Sequence, residues 1–181
     1  MRIILVSHGE TEMPAVRNGS TPLSATGVQQ AQALADELRT TIARRTAIEK
    51  VYAGETEAAS ATASIIATSL DLALPDALAG LTTHAALPVD ETLEPDAMIE
   101  AMRAVQDGAW ATIEQLRDTH ADEAAQVIAV MPTLTVHAIV CRALGMPLEG
   151  YRKLRVDPAS LSTLAFRQNR TILASLNETC S

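Results

Sequence analysis

The stretch Met1-Arg2-Ile3-Ile4-Leu5-Val6-Ser7-His8-Gly9-Glu10-Thr11 decides how the rest of the chain is read. Residues 2–7 have the character of a continuous buried strand, and that strand ends on a histidine followed at once by glycine. Glycine lets the backbone turn sharply and lets a ligand come close, so the strand delivers an imidazole to a place where it can act as a nucleophile or carry a proton. His8 is therefore the first candidate for chemistry, with Glu10 beside it as a weaker one. The alternative is structural: a strand-end histidine held by backbone groups, with Glu10 and Thr11 capping a turn.

Working outward, a loop rich in turn residues (Pro14, Asn18, Gly19, Pro22) leads to Ser24, a good helix N-cap. Val28, Ala31, Leu34, Leu38 and Ile42 then recur at helical spacing with polar residues between them, which predicts a helix packed by one face on a sheet. A short strand is expected at 50–53 and a second helix at 58–70, where Ala59, Ala63 and Ile66 share a face. From 71 to 96 the pattern weakens around Pro75, Pro88 and Pro95, and an irregular excursion over the sheet edge is expected, of the kind that often covers a site. A long helix follows over 96–119, with Met98, Met102, Val105, Ile113 and Leu116 along its inner face; Gly108 inside it costs about 1 kcal/mol relative to alanine. A buried strand at 126–130 and a helix over 132–144, opened by Pro132 and stopped by Gly145 and Pro147, come next. Two strands, 160–166 and 171–176, pair as a hairpin around Asn169. The β-α-β alternation predicts a three-layer αβα sandwich on a mostly parallel central sheet, in one domain covering residues 1–181.

Composition narrows the function classes. Apolar residues make up 48% of the 181 but aromatics only 2%, so the core must be built from alanine, leucine, isoleucine and valine. A net charge of −8 opposes non-specific attraction to nucleic acid or to an anionic membrane surface. No stretch approaches the roughly 18 apolar residues of a membrane span, and the N-terminal apolar run is too short for a signal peptide, which reads as a cytoplasmic-type protein. Cys141 and Cys180 show no metal-ligand or redox spacing and are expected to be free thiols. No metal and no organic cofactor is implied; a small molecule is the expected partner.

Three segments together resemble the histidine phosphatase superfamily, the phosphoglycerate-mutase-like fold. Ser7-His8-Gly9-Glu10-Thr11 is similar to the family's arginine-histidine-glycine-glutamate-threonine signature, and Pro22-Leu23-Ser24-Ala25-Thr26-Gly27-Val28-Gln29-Gln30-Ala31 to the segment after it. Val51-Tyr52-Ala53 through Thr62-Ala63, and Gly145-Met146-Pro147-Leu148-Glu149 through Leu161, resemble later family segments. The resemblance implies that the histidine after the first strand takes up a phosphoryl group. Two arginines and a second histidine would hold its oxygens, and a carboxylic acid would protonate the leaving group. His8 matches the nucleophile. Ser7 stands where the first arginine is implied, Ala58 where the second is, Pro132 where the second histidine is, and Gly80 near the place of the acid.

Phosphoryl transfer rests mostly on positioning and on preorganised donors, and removing one such donor costs about 2.7–4 kcal/mol of transition-state stabilisation. On this basis the pocket, lined by Ser7, Gly9, Thr11, Arg17, Asn18, Glu55, Ala58, Pro132 and Thr133, is expected to be remodelled. Three functions stay open: a divergent protein that binds a small molecule or a protein partner, an enzyme using His8 with Glu10 or Glu55 in acid/base chemistry, and a working phosphatase with Arg17 and His84 as substitute cations. His137, five residues beyond Pro132, is not an equivalent of the implied second histidine, and His120 is expected to favour the C-terminal dipole of the helix it ends.

Overall fold

A computed structural model describes residues 1–12, 21–42, 46–82, 95–168 and 170–180. Six strands form one sheet in the order β3-β2-β4-β1-β5-β6. They are β1 Arg2–Ser7, β2 Lys50–Ala53, β3 Asp76–Ala77, β4 Gln126–Met131, β5 Leu161–Arg167 and β6 Arg170–Glu178. Strands β3, β2, β4 and β1 are mutually parallel, whereas β5 runs antiparallel to β1 and β6 antiparallel to β5. The helices are α1 Ala25–Glu37, α2 Glu57–Ser69, α3 Pro95–Thr119 and α4 Thr133–Ala143.

Alternation along β1 explains why its sequence is apolar throughout. Ile3 and Leu5 pack with Ala109, Ile113 and Leu116 of α3 and Val136, Ile139 and Val140 of α4 on one face. Ile4 and Val6 pack with Leu34 and Ala35 of α1 and Ala59, Ala63 and Ile66 of α2 on the other. Each of these strand residues is essentially solvent-free, a contribution of about 1.5–3 kcal/mol per large side chain. Alanines on α2 let that helix lie close to the sheet in a chain with few aromatic residues to fill the space. A smaller cluster, Ile99, Met102, Val105, Ala138 and Cys141, joins α3 to α4.

The expected elements are present, with three differences of detail. The first helix does not continue as α to Ile42: it ends at Glu37 and passes into a π-helical turn, Leu38–Ile42, where the Thr40 hydroxyl donates to the Asp36 carbonyl at 2.8 Å and competes with the regular ladder. The described part of the 71–96 excursion is more ordered than its composition suggests, adding β3 to the sheet edge and a 3₁₀ turn, Ala79–Leu81. On α3, Ile99 is buried while Met98 is only partly so. The hairpin is formed by β5 and β6, and Asn169 itself lies outside the described residues.

Candidate active site

Because β1, β2 and β4 are parallel, their C-terminal ends share one edge of the sheet, the edge where open α/β sheets place ligands. This register brings His8, Gly54-Glu55 and Pro132-Thr133 together from distant parts of the chain. Ser7 pairs with Met131, Ala53 with Val130, and the Gly54 N–H donates to the Val130 carbonyl at 2.8 Å.

Backbone contacts hold His8 on both sides. Its N–H donates to the Met131 carbonyl at 3.1 Å, and its carbonyl accepts from the Ala159 N–H at 3.1 Å. The ring is half-buried, with Nδ1 2.8 Å from the Gly9 carbonyl oxygen. A carbonyl can only accept, so the neutral ring carries its proton on Nδ1 and keeps the lone pair on Nε2. Burial pushes the imidazole below its usual pKa, outweighing the opposite pull of the Gly9 bond. The site thus presents a neutral histidine with a free basic nitrogen.

The turn after His8 is clamped onto two helices. The Gly9 N–H donates to the buried Thr62 hydroxyl of α2 at 3.2 Å. On the other side the loop presses on the first turn of α1: a Cβ at Gly9 would meet the Gly27 carbonyl oxygen at 2.4 Å, and one at Gly27 would meet the Glu10 carbonyl oxygen at 1.9 Å. Both glycines are required by close approach rather than by backbone conformation. Ser24 completes the clamp. Its hydroxyl caps α1 through the Gly27 N–H at 3.0 Å and donates to the Glu10 carboxylate at 3.0 Å, while its N–H donates to the Glu10 carbonyl at 2.9 Å. The Glu10 carboxylate is therefore engaged with the cap of α1, and Thr11 bridges to Leu23.

At the remaining described positions the side chains are short and uncharged, apart from Glu55. Ser7 is completely buried and shares a 2.7 Å hydroxyl–hydroxyl hydrogen bond with Thr133 in the first turn of α4. Ala58 is buried in the first turn of α2, and Pro132 caps α4 without a side-chain bond. Glu55 is exposed, and its N–H donates to the Thr82 hydroxyl at 2.6 Å. Arg17, Asn18 and His84 lie outside the described residues. His137 sits within α4, with Nδ1 3.1 Å from the Thr133 carbonyl, Nε2 3.4 Å from the Leu154 carbonyl and its ring edge-on to Tyr151; burial pushes its pKa down. His120 stands at the end of α3 as expected, and its two ring nitrogens bond Glu49 at 2.7 Å and the Tyr52 hydroxyl at 2.8 Å, tying the helix end to β2.

Three supports of the site escape a residue-by-residue reading. Thr62 looks like one more small residue on an alanine-rich helix, although a hydroxyl on an apolar face needs a partner and is a signal in itself. The backbone of Ala159 and Ser160 carries no side-chain signal; Ser160 contributes a carbonyl that accepts from the Ser7 N–H at 3.2 Å. Gly27 resembles an ordinary helix glycine.

Fold and site together define an α/β protein that presents a neutral histidine at the ligand-binding edge of its sheet. The chain belongs to the histidine phosphatase superfamily (branch 1), whose family profile matches residues 3–82 and 81–179. No curated protein matches it. Among solved structures, the alpha-ribazole phosphatase from Shigella flexneri is 23% identical, with a TM-score of 0.74 over 98% of this chain and 96% of its own. The phosphoserine phosphatase of Entamoeba histolytica, solved as a histidine-to-alanine mutant with phosphoserine, is 15% identical with a TM-score of 0.78, covering 98% of this chain and 96% of that one. The mycobacterial glucosyl-3-phosphoglycerate phosphatase is 20% identical with a TM-score of 0.77, covering 98% and 99%. These likenesses extend over the whole phosphoglycerate-mutase-like fold. Among the described residues no helix is long and apolar enough to cross a membrane.

Proposed function

We propose that this chain is a divergent histidine phosphatase superfamily member whose remodelled pocket no longer carries out conventional phosphoryl transfer and instead binds or converts a different, less highly charged small molecule at His8. The observation that carries the reading is the buried Ser7–Thr133 hydroxyl pair, 2.7 Å apart, in the place where the family resemblance implies an arginine. A phosphate dianion needs donors that stay charged, and guanidinium groups hold it by paired, charge-assisted hydrogen bonds. Ser7 and Thr133 spend one hydrogen bond on each other, Ala58 offers no polar side-chain atom, and Pro132 has neither N–H nor polar side chain. Losing even one donor of this kind lowers the rate about 10²–10³-fold.

What supports a chemical role for the pocket is His8 itself. Its Nε2 is unprotonated in the neutral tautomer, its pKa is lowered by burial, and its backbone is fixed by Met131 and Ala159. A neutral imidazole held in this way serves as a general base or a nucleophile towards an uncharged electrophile as readily as towards a phosphate ester.

The test is turnover of an aryl phosphate and a panel of phosphorylated metabolites by the purified chain, with His8→Ala as control. The expected result is no hydrolysis above that of the control. Hydrolysis abolished by His8→Ala would overturn the reading and restore a phosphohistidine mechanism.

A further inference from the structure

The end of the sheet remote from His8 gathers three arginines. In the register of β1 with β5, Arg2 pairs with Ala165, so Arg167, two residues on, rises from the same face one diagonal step away. In the register of β5 with β6, Arg167 pairs directly with Arg170. Three arginines on three adjacent strands therefore share one face, and like charges directly opposite one another on a sheet are unfavourable.

Most other cations among the described residues are neutralised. Arg39, Lys50, Arg103, Arg117, Arg142 and Arg155 each have a carboxylate partner. Among the described residues Arg2, Arg167 and Arg170 have none, in a chain of 22 acidic and 14 basic residues; Arg152 and Lys153 are the other unpaired cations. All three arginines are exposed, and Arg2 and Arg167 line an open concavity of about 520 Å³, together with Thr46 and Gln168. One acidic residue, Glu123, lines it too, from the turn that follows α3 on the sheet's other side.

We infer that this concavity binds a small, multiply charged phosphate anion through the guanidinium groups of Arg2 and Arg167, which line it, and of Arg170, which the register sets opposite Arg167 on the same face. Guanidinium forks match phosphate oxygens, and an anion between them would relieve the repulsion the register imposes. A volume of about 520 Å³ suits a metabolite-sized ligand. A long polyanion would meet the field of a molecule carrying −8, so nucleic acid is disfavoured. The six residues of strand from Arg2 to His8 span about 20 Å, so this is a second site, independent of the reaction at His8.

Calorimetric titration of pyrophosphate into the full chain at low ionic strength tests the inference, with citrate and a single-stranded oligonucleotide as parallel arms. One-to-one binding is expected, weakened about tenfold or more by each of Arg2→Gln, Arg167→Gln and Arg170→Gln and unchanged in His8→Ala. Thermal melts check that the surface variants remain folded, and ¹⁵N amide shifts at Phe166–Gln168 give a second readout. Absence of binding, or binding untouched by the arginine variants, would overturn the inference. Loss of binding in His8→Ala alone would place the anion at the other edge, which would also count against the altered-pocket proposal. Equal affinity for citrate would remove the phosphate assignment, and preference for the oligonucleotide would remove the small ligand.

Discussion

Replacing Gly27 with alanine tests whether the His8 loop is clamped against α1. In an ordinary helix the change would stabilise, by up to about 1 kcal/mol. Here the new Cβ would lie 1.9 Å from the Glu10 carbonyl oxygen, 2.8 Å from its carbon and 2.9 Å from its nitrogen, where real Cβ contacts stay beyond 3.0 Å. Every atom in the way is backbone, so the loop or the helix must retreat by about 1 Å, and overpacking of this kind costs about 1–3 kcal/mol. The retreat also strains two hydrogen bonds, from the Ser24 N–H to the Glu10 carbonyl and from the Glu10 N–H to Gln30, each worth about 1 kcal/mol. Set against the propensity gain, a net loss of about 2–4 kcal/mol is expected, which lowers Tm by roughly 5–15 °C in a chain of this size. Gly108 supplies the control. It is exposed on α3 with nothing within 4 Å of the place an added methyl group would take, so Gly108→Ala should raise Tm by roughly 2–4 °C. Urea and thermal unfolding of the two variants measure the difference, and His8 ring-nitrogen shifts report whether the imidazole moves. Stabilisation of both variants alike would refute the clamp.

Acid sensitivity should trace to two histidines. Burial depresses His8 and His137 below 6.5, so the unfolded chain binds more protons, and stability is full at higher pH and lost as pH falls below 6.5 towards the folded values. Replacing either with glutamine should flatten the stability profile below about pH 7 in urea titrations, and an unchanged slope would count against that cause. Asn177 should matter more than an ordinary residue at a strand end: its side chain accepts from the Asp157 N–H at 2.7 Å and donates to the Asp157 carboxylate at 2.9 Å, at a positive φ of 56°. Asn177→Ala is expected to cost about 2–3 kcal/mol and Asn177→Gly somewhat less, since glycine tolerates the conformation but restores neither bond; equal losses would show that conformation plays no part. In thiol titration with an aromatic disulfide, Cys180 should react in the native state and the fully buried Cys141 only after unfolding, although burial raises both thiols.

The parts of this fold that are legible in the sequence are those decided by a single element. An apolar strand ending in His-Gly, the N-cap at Ser24, the alanine face of α2 and the Pro132 start of α4 each follow from local pattern and local chemistry. What stays hidden depends on register between distant elements. That Ser7 meets Thr133 across 126 positions follows only once β1 and β4 are paired. Gly9 and Gly27 constrain each other through a contact that neither spacing nor propensity encodes, and the Glu49–His120–Tyr52 arrangement needs the end of α3 to come down beside β2. Arg2, Arg167 and Arg170 are scattered charges along the chain and become one face only in the sheet.

The way His8 is held bears on how such a pocket can change its chemistry. Its backbone bonds run to Met131 and Ala159, its ring to the Gly9 carbonyl, and its turn to Thr62, Gly27 and Ser24. None of these contacts uses a group that would grip a phosphate. The imidazole's position and tautomer are thus set by the scaffold, while the charge of the pocket is set by other side chains, at Ser7, Ala58 and Pro132 among them. The two can vary separately, because replacing a cation at the pocket wall leaves the bonds that aim His8 in place. That independence gives the proposed function a structural consequence: converting Ser7 to arginine should leave the His8 ring-nitrogen shifts unchanged, even if burying the guanidinium costs stability. A change in the His8 tautomer on that substitution would mean that the wall and the imidazole are coupled, and the separation of scaffold from chemistry would fail.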